Sequence, residues 1–154
     1  ANAIKRYELS FLLGRDIGFG DNNSKDNIFS VLPLELVIDW CKQNKKIAPY
    51  FVAKSMNIFD QAGNQKQPSQ LFIALLENFG DLESLGSELS ANLNTRGWSG
   101  SLVPYLESDK SALTPLLAHY NQYVRNWVRD YIANLDKQIA YESKRDEEHD
   151  LGIY

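Results

Sequence analysis

Few stretches of this 154-residue chain carry side chains that could do covalent or acid–base chemistry. A serine nucleophile needs a paired base. Ser99 sits in GWSGS, but Gly100 stands one place too early for a G-x-S-x-G elbow, and no strand-like run precedes it. The two histidines, His119 and His149, have no cysteine beside them and form neither HxxxH nor HExxH spacing, so no metal site is predicted. The lone cysteine, Cys41, stands among Ile38, Trp40 and Ile47 and reads as a small buried hydrophobe in a reducing compartment. GFGDNN, from Gly18, has no preceding strand and no following GK[ST], and the oxygen-rich run to Asn27 is not in calcium-loop register. The sequence therefore predicts no catalytic, cofactor-binding or metal-ligating residue, and no enzyme.

Binding chemistry has better candidates. Trp98 lies in a loop between Gly97 and Gly100, where it either plugs one end of a core or presents an aromatic anchor to a partner. Arg125 and Arg129 are one helical turn apart and could touch neighbouring phosphates, with Trp127 between them. The competing reading gives Arg125 a structural task, spanning adjacent helical repeats through carboxylates or carbonyls. A formal charge of −4 disfavours nucleic acid and points to a protein partner. Lys42, Lys45 and Lys46 form the densest basic cluster and read as a solvated turn. The acidic run of Glu142, Asp146, Glu147, Glu148 and Asp150, broken by Lys144 and Arg145, reads as a solvated helix face.

The elements that position these residues follow from apolar spacing. Residues 4–13 could be a helix, followed by a loop rich in glycine, asparagine and aspartate. Leu34, Val37, Ile38 and Cys41 share a helical face, with Pro33 at its start. A second helix from Ile47 places Ile47, Phe51 and Ile58 together. Residues 61–67 read as a polar loop, after which Pro68 opens a helix carrying Leu71, Phe72, Leu75, Leu76 and Phe79, stopped by Gly80. Asp81 is placed to cap the next helix, which carries Leu82, Leu85, Leu89 and Leu93. Asp109 or Ser111 is placed to cap a short helix with Leu113, Leu116 and Leu117. After a polar break, a long helix carries Val124, Val128, Tyr131, Ile132, Leu135 and Ile139, and then turns polar. No apolar run approaches a membrane span.

These helices fall into pairs over residues 28–60, 68–94 and 102–148, whose turns recur about every 35 to 40 residues, the period of an α-solenoid. In the third pair, Leu113, Pro115, Leu116 and Leu117 precede Val124-Arg125, with Val128 and Ile132 following. That stretch resembles a HEAT repeat over about 25 residues, although Trp127 stands where the family favours a smaller side chain and the turn lacks the usual aspartate. The resemblance implies an all-α domain spanning residues 1–154, an α-α superhelix of about three stacked antiparallel pairs with a polar C-terminal cap. It also implies a non-catalytic interaction or scaffold module, part of a larger cytoplasmic bacterial protein. The alternative is a nucleic-acid-binding or DNA-repair-like module on the same scaffold, using Arg125, Arg129 and nearby aromatics.

Overall fold

The chain is described here over residues 28–95 and 99–152 of a computed structural model, and these residues are mostly helical. The N-terminal apolar segment, the glycine-rich loop and Trp98 lie outside them. The elements in order are α1 (Ile28–Val31), α2 (Leu34–Gln43), α3 (Ala48–Ser55), β1 (Phe59–Ala62), β2 (Gln65–Pro68), α4 (Gln70–Phe79), α5 (Leu85–Leu93) and α6 (Val103–Leu113). A 3-10 turn (Thr114–Ala118) and α7 (Gln122–Asp150) follow. They divide into two compact units, one holding residues 28–60 and 69–95, the other 61–68 and 99–152.

In the first unit the apolar faces set the packing. Val37, Ile38 and Cys41 of α2 are buried, as are Leu71, Phe72, Leu75, Leu76 and Phe79 of α4 and Leu85, Leu89 and Leu93 of α5. All of these stand on the faces that helical spacing predicts. Burial pushes the Cys41 thiol up to about 12, so it stays protonated and unreactive at neutral pH. A thiol reagent at pH 8 should label the native chain roughly 100-fold more slowly than the denatured chain. Labelling at equal rates would show that the site opens freely.

Helix α3 departs from expectation. Ile47 is 71% exposed because it precedes the helix, and the buried face is Ala48, Pro49, Val52 and Ala53. These small side chains let α3 approach α5 closely, its most extensive partner in this unit, while α2 packs on α4. The C-terminal ends of α3 and α5 meet: the Asn92 amide of α5 donates to the carbonyls of Ala53 and Met56 at 2.9 and 2.8 Å. The two helices are therefore tied together at these ends. The bonded residues stand 39 and 36 positions apart in the chain.

The helix starts also differ in detail. Pro68 ends β2, and Ser69 caps α4 by accepting the Phe72 N–H at 3.2 Å. Asp81 lies too far upstream to cap α5, whose N-cap is Ser84 in a left-handed conformation (φ 69°) with no side-chain cap bond. The expected loop at residues 61–67 is the β1–β2 hairpin. Its two-residue connection has a positive φ at Gly63 (64°) and, among the described residues, none at Asn64, the pattern of a type II′ turn.

The second unit is built on α6 and α7. Bonds from Ser101 to Asp146 and from Lys110 to Asp136 fix them as antiparallel. Leu106 and Leu113 of α6, Leu116 of the 3-10 turn, and Val124, Val128, Tyr131 and Leu135 of α7 are buried. The short helix expected around Leu113 is the end of α6 and its 3-10 extension, begun at Val103 with Pro104 in the first turn. Asp109 accordingly caps nothing. It lies within α6, fully buried, and pairs with Lys66 of β2. Helix α7 runs 29 residues, about 43 Å at 1.5 Å per residue, and its last fully buried residue is Leu135.

Candidate interaction surface

The turn that starts α7 is tied down from three directions. The Asn121 side-chain oxygen accepts the N–H groups of Tyr123 and Val124 at 2.8 and 3.2 Å, capping the helix. His119 Nδ1 accepts the Asn121 N–H at 3.1 Å. Arg125 reaches back one turn, and its Nη1 donates to the carbonyls of His119 and Tyr120 at 2.7 and 2.8 Å. Charge-assisted bonds of this kind are the stronger class.

This scaffolding displays apolar groups. The Tyr120 ring stacks on the His119 imidazole at 4.4 Å and is 77% exposed, and Leu117 beside it in sequence is 42% exposed. Farther along α7, Trp127 is half-buried and stacks on buried Tyr131 at 4.8 Å with the rings 7° from parallel. An exposed tyrosine on an immobilised turn is the kind of group that anchors protein partners, because little rotamer freedom remains to be lost.

No protein-family model, no curated protein and no solved structure matches the chain. The surface must therefore be read from its own geometry.

Arg125 and Arg129 have separate tasks. Arg125 is engaged with the carbonyls of its own turn. Arg129 is solvent-facing and lies 3.4 Å from the Asp130 carboxylate, itself exposed. Trp127 packs along α7 against Tyr131 rather than standing free between the two arginines. Ser99 lies in an exposed bend.

A polar groove of about 870 Å³ lies at the opposite end of the α6–α7 pair, bordered by Ser101, Tyr141, Glu142, Arg145, Asp146 and His149. Ser101 is committed there: its hydroxyl donates to the Asp146 carboxylate and accepts the Val103 N–H at 3.2 Å. It joins the start of α6 to the end of α7 and is held as a structural link. Among the described residues, no group of three or more His, Cys, Asp or Glu is placed to hold a metal ion, and no helix is long and apolar enough to cross a membrane.

Residue type and spacing point to Arg125, Arg129 and Trp98 but not to Tyr120, which belongs to no periodic pattern and lies with His119 in the polar break before α7. Their display depends on Arg125 and Asn121 fixing the turn, a set of backbone bonds that no residue spacing announces.

Proposed function

We propose that this chain is a non-catalytic protein-interaction module built on stacked, HEAT-like helix pairs, and that it acts within a larger cytoplasmic bacterial protein. The observation that carries the reading is the pairing of α3 with α5 through residues 36 and 39 positions apart. In a helical-repeat array, corresponding helices of successive pairs pack on each other, offset by one repeat length of about 33 to 47 residues. The packing of α2 on α4 accords with the same layering. Such arrays present surfaces to partners, and here the fixed turn with Leu117 and Tyr120 is the recognition surface. The formal charge of −4 favours a protein over a nucleic acid.

The test starts with a photo-reactive residue in place of Tyr120, to identify the crosslinked protein in cells, followed by titration of the purified pair. Leu117→Ser/Tyr120→Ser should weaken binding at least ~10-fold, the loss expected of a hot-spot aromatic, while circular dichroism stays unchanged. The reading fails if the chain instead binds oligonucleotides with affinity that falls steeply with salt and is abolished by Arg129→Glu.

A further inference from the structure

The turn between α2 and α3 collects positive charge in an acidic protein. Between Asp39 and Asp60 the chain has four lysines and no carboxylate side chain, although its formal charge is −4. Lys54 lies 3.9 Å from Glu88. Lys42, near the end of α2, and Lys45 and Lys46, in the turn, are exposed. Among the described residues these three make no ion pair, not even Lys42 with Asp39 one turn before it. Ile47 follows them and is 71% exposed.

Asn44 holds the backbone of this turn. Its Nδ2 donates to the Trp40 carbonyl at 3.0 Å and its N–H to the Cys41 carbonyl at 3.2 Å. Its own carbonyl accepts the N–H groups of Ile47 and Ala48 at 3.1 and 2.9 Å. Trp40 of α2 and Phe51 of α3 meet edge to face, with ring centroids 6.4 Å apart. A ligand that engages the lysines and Ile47 therefore orders side chains only, on a backbone already fixed. Three ammonium groups beside one branched alkyl group match carboxylates flanking an apolar residue. An anionic membrane or a nucleic-acid strand is extended and would also face the acidic remainder of the chain, and residues 42–47 contain no aromatic ring on which a base could stack. A short acidic segment meets the lysines alone, within a screening length of about 8 to 10 Å.

We propose that the α2–α3 turn is a second docking site, which takes a short acidic segment of a partner protein. The segment's carboxylates pair with Lys42, Lys45 and Lys46, and an apolar side chain between them rests on Ile47. Ion pairs in water are individually weak, so the contact is reversible and sensitive to salt. The site lies wholly within the first unit and does not draw on the turn that starts α7.

Fluorescence anisotropy of the full chain with a labelled peptide of glutamates around a single leucine tests this. The peptide should bind, and a version with lysine in place of every glutamate should not. Raising salt from about 10 mM to about 1 M should weaken binding at least ~10-fold, as the screening length shrinks from about 30 Å to about 3 Å. Lys45→Glu/Lys46→Glu should weaken it at least ~30-fold by turning attraction into repulsion, with circular dichroism unchanged. Ile47→Ser should weaken the leucine peptide ~5-fold, from lost apolar contact, and leave a serine-for-leucine version unaffected. Leu117→Ser/Tyr120→Ser should bind the peptide as the wild type does, which separates this site from the surface at α7. Absence of binding, equal binding by the charge-reversed variant, or tighter binding to phosphatidylserine vesicles or to a single-stranded oligonucleotide overturns the proposal.

Discussion

Asn92→Ala should destabilise the first unit by about 3 kcal/mol, from two buried carbonyl acceptors losing their donor at roughly 1–3 kcal/mol each. Asn92 is 8% exposed, and its amide serves the Ala53 and Met56 carbonyls together. Helix α3 ends at Ser55, so its last carbonyls have no donor in a following turn. Backbone geometry supplies one bond, from the Met56 N–H to the Val52 carbonyl. Asn92 supplies the next from a different helix. Substitution therefore uncaps α3 and loosens α3 from α5 at once. Asn92→Asp keeps the size but removes both donors and sets a carboxylate against two carbonyl oxygens, so it should cost more than the alanine. Denaturant unfolding monitored by hydrogen exchange in α3 and α5 measures both. An alanine variant within ~0.5 kcal/mol of wild type, the range of neutral surface changes, would show that the apolar contacts alone hold the two helices.

Val128→Asp should cost about 4 kcal/mol or more at neutral pH, placing it among the largest single-residue effects. Val128 is 0% exposed on the face that α7 turns to α6 and the 3-10 turn. An introduced carboxylate there would be desolvated within an apolar face. The sign of the pH dependence follows. Burial raises the folded-state pKa of the new carboxyl above its unfolded value of about 3.9. The charge penalty is complete above the folded pKa and disappears as pH falls below the unfolded one. The deficit relative to Val128→Asn, which has no titrating group, should therefore shrink on acidification. Equal deficits for the two variants at every pH would mean that this position is hydrated in the folded chain.

Helical faces were largely legible because a helix repeats every 3.6 residues and burial follows that repeat. Leu71, Phe72, Leu75, Leu76 and Phe79 are all buried, as their spacing predicts. Val124, Val128, Tyr131 and Leu135 are buried too, with Ile132 and Ile139 at the margin. Ile47 misled because hydrophobicity outweighed position: it precedes the first turn of α3 and so points away from the face that Ala48 and Val52 define. The hairpin was hidden because its strands, FDQA and QKQP, are too polar to alternate visibly. Its one sequence cue was Gly63-Asn64, a dipeptide suited to a two-residue hairpin.

The candidate surface was legible only in part. Arg125 drew notice as a charge on an apolar helix, but the carbonyls it bonds belong to its own turn and not to an adjacent repeat. Tyr120 drew none, since exposure of a turn aromatic is decided by where the turn is pinned.

What the amino-acid order determined by itself is the helical content and the apolar face of most helices, because both depend on interactions within a few residues of the chain. What only the tertiary structure decided are the long-range polar bonds: Asn92 to the end of α3, Lys66 to Asp109, and Ser101 to Asp146. Each joins residues separated by 36 to 45 positions. Nothing local distinguishes a buried Asn92 or Asp109 from an exposed one. Their partners, and with them the pairing of α3 with α5, exist only once the helices have packed.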